Sequence, residues 1–527
     1  MRFIKMFTPI KRSILLIGIG LLSISSVWSQ DSTETISKLA NSPHDFTSYL
    51  DSLRIASGEE KLSNITVCRQ CHAPSLKPGL EPLWDRQNPG TNFHVDKHKK
   101  DLSEGLPTDG GSRRCLACHD GVMAKGFPKR DVESQVSLEK DVNSHLYTHL
   151  FNMTSSNIDS ALHVYNSRVS CGSCHNPHNN DNGSFLRIST QDGALCLGCH
   201  VMPNWEISSH VSPLDERYGN HFMKDGCLQC HDIHGTPGTT SLLAKNEAEL
   251  CLACHDASIN NDDEITAKQN LKEVFEKPYA HPIFFESGKG DDGLNHERGV
   301  LCSDCHNPHE ITHFNEPMLN GALKGVDGVD EDGNELSASH FEYEICAKCH
   351  NGNSEKMLAE NIDRLFSPMN QSFHPVKAPG NNPNVPSLKK DLSEQSLITC
   401  SDCHGNNDKA GAAGPHGSDV AHILKFDYSE NPFASPGSDD LCMSCHNLRR
   451  LKSDVGFKFH SLHINQGNFA CAACHNPHGR VNEPGLVDID LPWILAVNGE
   501  KSVEAREPGH GNCTLSCHGV DHRGQSY

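Results

Sequence analysis

Residues 171–200 read CGSCHNPHNNDNGSFLRISTQDGALCLGCH: two Cys-x-x-Cys-His strings, the first trailed by a further histidine. Outward from there the string recurs along the whole chain. It stands at Cys68/Cys71/His72, Cys115/Cys118/His119, Cys171/Cys174/His175, Cys196/Cys199/His200, Cys227/Cys230/His231 and Cys251/Cys254/His255. It returns at Cys302/Cys305/His306, Cys346/Cys349/His350, Cys400/Cys403/His404, Cys442/Cys445/His446 and Cys471/Cys474/His475. A twelfth motif, Cys513/Cys517/His518, has one extra residue between its cysteines. The twelve motifs, numbered here in chain order, use all 24 cysteines, and random placement of 24 Cys and 35 His would give well under one such string.

Cys-x-x-Cys-His is the attachment signature of a c-type haem. One helical turn presents both thiols to the two vinyl groups of a porphyrin, and the next residue offers its imidazole to the iron as proximal ligand. The longer twelfth motif can do the same with a larger loop. Disulfides in an exported chain and zinc held by Cys-x-x-Cys pairs compete with this reading. Neither requires a histidine after every second cysteine. The sequence therefore predicts twelve haem c groups, with His72, His119, His175, His200, His231, His255, His306, His350, His404, His446, His475 and His518 as proximal ligands.

Haem attachment belongs outside the cytoplasm, and the N-terminus agrees. Arg2, Lys5, Lys11 and Arg12 precede a short apolar run, Ile14 to Leu22, and Val27 and Ser29 suit a signal-peptide cleavage before Gln30. The run is interrupted by Gly18 and Gly20 and is short for a membrane span, so an uncleaved anchor is the lesser reading. The expected location is the periplasm or cell surface, with no integral membrane span after cleavage.

The formal net charge is −21 and becomes about −25 once the four signal-peptide cations are gone. That sign disfavours nucleic acid, whose phosphates want cations, and suits docking on basic patches of redox partners. Only 36% of residues are apolar and 6% aromatic, too few for a conventional core in a chain of this length. Porphyrins covalently tied about every 42 residues of the mature chain make up the deficit. Short helices and long irregular loops wrapped around a row of stacked haems, with little β-sheet, are expected, together with failure to fold without haem.

The motifs fall into pairs. Cys171–His200 gives CGSCHNPH then ALCLGCH, and Cys227–His255 gives CLQCHDIHG then ELCLACH. The implied segments are a signal peptide at 1–29 and haem pairs at 30–140, 141–205, 206–275, 276–355, 356–450 and 451–527, with a hinge between two halves near residue 275. This resembles the doubled repeat of multihaem cytochromes c at motif level along the mature chain, with matching spacing in the second and third pairs. The closing CTLSCHGVDH is similar to the last motif of several large bacterial multihaem cytochromes. The resemblance implies close-packed haems used for electron transfer. The partners it implies are other cytochromes, quinol-linked donors and outer-membrane porin–cytochrome components.

Twelve of the 35 histidines are proximal, leaving 23 from which sixth ligands can come. One class trails the first motif of a pair: His178, His234, His309, His478 and, displaced, His416. A second lies upstream of each pair: His149, His210, His281, His374 and His460 or His463. His94 and His98 serve the first pair, and His522 lies beside the last motif. His44, His313, His340 and His510 read as spares. Ten methionines hold no repeated place, so bis-histidine, low-potential iron is preferred to Met ligation, which raises the potential. GVDGVDEDGNE at 325–335 looks like a calcium loop, but Gly328 stands where its first Asp belongs, and an acidic hairpin is expected. The Pro/Asn/Gly-rich stretch at 377–391 reads as a loop.

A non-catalytic electron conduit is the leading functional expectation. The rivals are a multihaem oxidoreductase reducing a nitrogen or sulfur oxyanion at one five-coordinate haem, with Cys68 and Cys400 as the places to look, and a subunit of an extracellular cytochrome filament.

Overall fold

The computed structural model describes residues 38–39, 42–45, 115, 119, 158–164, 169–211, 226–234, 239, 241–256, 270–283, 299–351, 361–429, 431–507 and 510–527. The signal peptide, the whole of motif 1 (Cys68, Cys71 and His72), Cys118, His94, His98 and His149 lie outside them.

Each described Cys-x-x-Cys-His closes one turn of helix. The histidine N–H donates to the carbonyl of the first cysteine at 2.9–3.0 Å in His175, His200, His231, His306, His404, His446 and His475, the i to i−4 bond of an α-helix. Most of these turns go no further, as at Cys171–Cys174, Cys302–Asp304, Cys400–Cys403 and Cys471–Ala473. Motifs 6 and 8 instead end nine-residue helices, α1 (Glu247–His255) and α2 (Glu342–His350). Both begin with Glu at the first and third positions, where carboxylates favour the helix N-terminus.

Those glutamates also tie one pair to the next. Glu247 accepts from Ser303 N–H (2.6 Å) and Oγ (3.0 Å), and Glu342 accepts from Ser401 N–H (2.6 Å) and Oγ (2.7 Å). Both serines lie in a CSDC motif, and both glutamates sit four residues before a motif's first cysteine. Glu342 is buried. Replacing it with alanine strands the Ser401 donors and is expected to cost about 1–3 kcal/mol in urea denaturation of the haem-loaded protein. A double-mutant cycle with Ser401→Ala should return a coupling of similar size; additive single effects would show that the clamp does not act as a unit.

Sheet is sparse and local. Two-residue ladders join β1 (Tyr279–Ala280) to β5 (Gly417–Ser418), β2 (Gly328–Val329) to β3 (Glu335–Leu336), and β4 (Ser372–Phe373) to β6 (Gly479–Arg480). The β2–β3 pair is an acidic hairpin in which Asp330 accepts from Asp332 N–H, Asn334 N–H and Asn334 Nδ2. The chain closes on a larger sheet: β7 (Ile494–Leu495), β8 (Ser502–Glu507), β9 (His510–Cys517) and β10 (Val520–Ser526), with β9 paired to all three others.

Motif 12 lies on this sheet, not on a helical turn. A strand turns successive side chains to opposite faces, so the three-residue spacer puts Cys513, Leu515 and Cys517 on one side. All three join a cluster with buried Ile494 and Val503. Comparable small clusters, Leu162/Leu186/Leu195 and Leu319/Val326/Ile345, also lie against motif cysteines.

The chain divides into two compact units, residues 1–145 with 149–200, and 146–148 with 201–527. Neither unit begins or ends at residue 275. Just beyond it, Lys277 Nζ bonds Asn406, Asn407 and Asp419 at 2.8–2.9 Å, and β1 pairs with β5 across more than 130 residues.

Candidate haem-binding sites

Six of the proximal-motif imidazoles are held by their far nitrogen. Nδ1–H donates to the carbonyl of Ser184 from His175, of Ser241 from His231, of Ala322 from His306, of His422 from His404 and of Gly485 from His475, at 2.8–3.0 Å. His446 Nδ1 is bonded to Ser387 Oγ at 2.9 Å. Such a bond fixes the tautomer and ring orientation and leaves Nε2 for a metal. The carbonyls sit on loops that fold back over the motif, as Asn176 N–H to Phe185 O and Arg187 N–H to Cys174 O show. To bring the carbonyl round, Ser184, Ser241, His422 and Gly485 take positive φ of 45–63°, a costly conformation for the three that carry a Cβ.

A second imidazole faces many of these. A metal–imidazole bond is about 2 Å and a ring centre lies about 1 Å behind its nitrogen, so two imidazoles on one iron have centres about 6 Å apart. The centres lie at 6.0 Å for His231/His309, 6.3 Å for His255/His210, 6.0 Å for His306/His416, 6.2 Å for His404/His478 and 6.4 Å for His475/His460. His119 faces His44 at 6.1 Å. His350 is within electrostatic reach of His281, and His446 of His374.

The order in these couples is regular. A trailing histidine faces the first motif of the preceding pair, as His309 faces His231, His416 faces His306 and His478 faces His404. An upstream histidine faces the second motif of the pair it precedes, as with His210 and His255. The two classes are zipped together. Nδ1–H of His210, His281 and His374 donates to the carbonyls of Pro308, Pro415 and Pro477, the residues just before His309, His416 and His478. The β1–β5 and β4–β6 ladders extend two of these contacts. In the trailing class, Asn307 and Asn476 side chains accept from the N–H of His309 and His478, and the same turn orients His178 and His234.

Motif 11 is the exception, facing upstream His460. At motif 12, ligand nitrogens of His463, His518 and His522 lie within 4.8 Å of one another. His463 Nδ1–H donates to Phe459 O at 2.8 Å. Four residues of strand span about 13 Å, so Cys513 and Cys517 both reach one porphyrin only if β9 bends there.

His44 reads as a spare in the sequence, yet it stacks on Phe185 at 4.1 Å and faces His119; its upstream position is its only sequence signal. Cys400 is a place to look for an open iron on sequence alone, yet His404 faces His478. The other such place, Cys68 with its partner Cys71, lies outside the described residues. The 377–391 loop supplies the Ser387 anchor of His446.

Thiols of successive motifs also meet. Cys251 is hydrogen-bonded to Cys302, Cys346 to Cys400 and Cys442 to Cys471. Within pairs, Cys174 and Cys199, Cys230 and Cys254, Cys305 and Cys349, Cys403 and Cys445, and Cys474 and Cys517 are electrostatic neighbours. No disulfide joins the described cysteines, despite this crowding. Glu342 and Asp440 each lie beside two thiols, but their oxygens are already engaged, by Ser401 and by Cys442 N–H.

Burial favours the neutral form of eleven of these imidazoles. It pushes His255, His416, His446, His460 and His478 down to about 4, and lowers His306, His309, His350, His374, His404 and His475. Neutral imidazole is the metal-ligating form. Paired thiols, an anchored imidazole and a second imidazole about 6 Å away fit a bis-histidine c-type haem.

Comparison with known proteins follows the same line. Residues 329–483 match the family described as outer membrane cytochrome MtrC/MtrF-like, domains II/IV. Residues 163–202 and 220–259 match the doubled CXXCH motif. The chain is similar to the multiheme cytochrome MtrA of Shewanella baltica (strain OS185), at 24% identity over 269 residues, covering 48% of this chain and 62% of that protein. It thus spans less than two thirds of that relative's length. No solved structure matches. No helix among the described residues is long and apolar enough to cross a membrane. The repeated motifs and these likenesses together make the chain a multihaem c-type cytochrome.

Proposed function

We propose that this chain is an exported electron conduit, periplasmic or at the cell surface, carrying twelve haems, those of motifs 5 to 12 in a row whose spatial order follows the sequence. Bound haem supplies one-electron couples, and the chain's own residues attach, orient and insulate them. The observation that supports the reading is the unbroken relay of thiol neighbours from motif 5 to motif 12: Cys230–Cys254, Cys251–Cys302, Cys305–Cys349, Cys346–Cys400, Cys403–Cys445, Cys442–Cys471 and Cys474–Cys517. Thioethers at these sulfurs bring neighbouring porphyrin edges together.

The ligand set follows from the facing imidazoles. His309, His210, His416, His281, His478, His374 and His460 cap the irons of motifs 5 to 11 in that order. His522, with its ring centre 6.4 Å from that of His518, or His463, tied at Nδ1 like His210 and His281, caps motif 12, and His44 caps motif 2. Two imidazoles per iron, eight of these candidates donating Nδ1–H to a carbonyl, keep the potentials low. The acidic surface directs the protein to basic patches on other cytochromes, quinol-linked donors or porin–cytochrome components.

Mass measurement and haem assay of the purified protein should count twelve haems, and the oxidised protein should show only low-spin iron. A smaller count sinks the twelvefold reading. A stoichiometric high-spin iron that binds nitrite or a sulfur oxyanion would replace the conduit with an enzyme.

A further inference from the structure

We propose that His460 is the exchangeable ligand of the row, so that the reduced iron of motif 11 takes up a small neutral diatomic molecule. The inference rests on the pairing of His460 with His475 argued above. Three observations set this imidazole apart.

Its register differs. Irons of motifs 5, 7 and 9 are faced by a histidine that trails the first motif of the next pair, whereas the histidine facing motif 11 comes from the segment at 457–466. That segment ends in a π-helical turn, Leu462–Gln466, a distortion that recurs at functional sites. Its Nδ1 is buried and has no hydrogen-bond partner. By contrast His475 across the site is tied to Gly485 O at 2.9 Å, and His463 one turn on is tied to Phe459 O at 2.8 Å. Its ring rests edge-on against Phe457 at 5.1 Å, an apolar surface that gives no anchor.

Nδ1 of His416 is also buried without a partner, but the Ala413 backbone lies beside that ring, and a Cβ on Gly414 would stand 3.3 Å from Nδ1. Its own loop walls it in place. Near His460 the charged neighbour is Asp454, whose Oδ1 already accepts from Ser461 N–H at 2.6 Å.

An anchor at the far nitrogen raises ligand basicity and fixes orientation, and its loss typically weakens metal affinity about 10–100-fold. His460 is therefore the first imidazole to leave. The exchange breaks one iron–nitrogen bond and forms one iron–carbon bond to carbon monoxide; no electron moves, and the imidazole departs neutral.

The test uses the haem-loaded full chain, reduced anaerobically and titrated with carbon monoxide. One molecule should bind per chain. His460→Ala should bind the same single equivalent, faster, and its oxidised form should gain one high-spin iron that added imidazole returns to low spin. Wild-type protein that binds no carbon monoxide, or more than one, overturns the proposal, and so does a variant that binds one equivalent more than wild type. If oxidised His460→Ala gains no high-spin iron, the pairing with His475 fails first and the proposal falls with it.

Discussion

Replacing His478 with alanine should turn one iron high-spin, that of the haem attached at Cys400 and Cys403 with His404 as its proximal ligand. The nearer candidate in sequence is the iron of His475, three residues before His478. Geometry favours the distant one. His478 and His404 lie parallel, 8° apart with centres at 6.2 Å, while His475 faces His460. Losing one of two strong nitrogen donors should raise that iron's potential above its neighbours, visible as one component moving in a redox titration. Location follows from a second variant. With Cys400 and Cys403 also replaced by alanine, motif 9 carries no haem, and His478→Ala should add no high-spin signal. If the signal persists, the cross-pair ligand scheme is wrong. His309→Ala and His416→Ala should act alike on motifs 5 and 7.

The motif register, the helical turn at each described Cys-x-x-Cys-His and the two classes of candidate distal histidine were legible in the sequence, because each depends on spacing within a few residues. Which iron each candidate faces was not. His478 and His404 are 74 positions apart, and the contact that brings them together passes through ladders of two residues, β4–β6 and β1–β5, too short to leave an alternation pattern. The carbonyl anchors were hidden for another reason. Ser184, Ser241 and His422 adopt positive φ without the glycine that would announce it. The strand at motif 12 left an ambiguous trace in its spacer, since the i, i+4 spacing of Cys-x-x-x-Cys keeps both thiols on one face of a strand or of a helix alike. The Glu–Ser clamps left one too, in the repeated CSDC of motifs 7 and 9. Neither trace decides anything until the chain's neighbours are known.

Removing the haem of motif 9 should cut the row in two. In a Cys400→Ala/Cys403→Ala variant, both sulfur neighbours that motif 9 offers, Cys346 on one side and Cys445 on the other, lose their thioether partner. No described thiol contact joins motif 8 directly to motif 10, so the proposed row has no detour. Electrons delivered to the motif 5 end should then reach the motif 12 end only by collision between molecules, at a rate proportional to protein concentration. Removing motif 12 instead, by Cys513→Ala/Cys517→Ala, takes away the same amount of haem but shortens the row without breaking it. Transfer along the remaining motifs should stay unimolecular and independent of concentration. Flash reduction followed optically at several dilutions separates the two, once haem counts show a loss of one in each variant. A fast, concentration-independent phase surviving in the motif 9 variant would mean that charge travels by a path other than the order of the sequence.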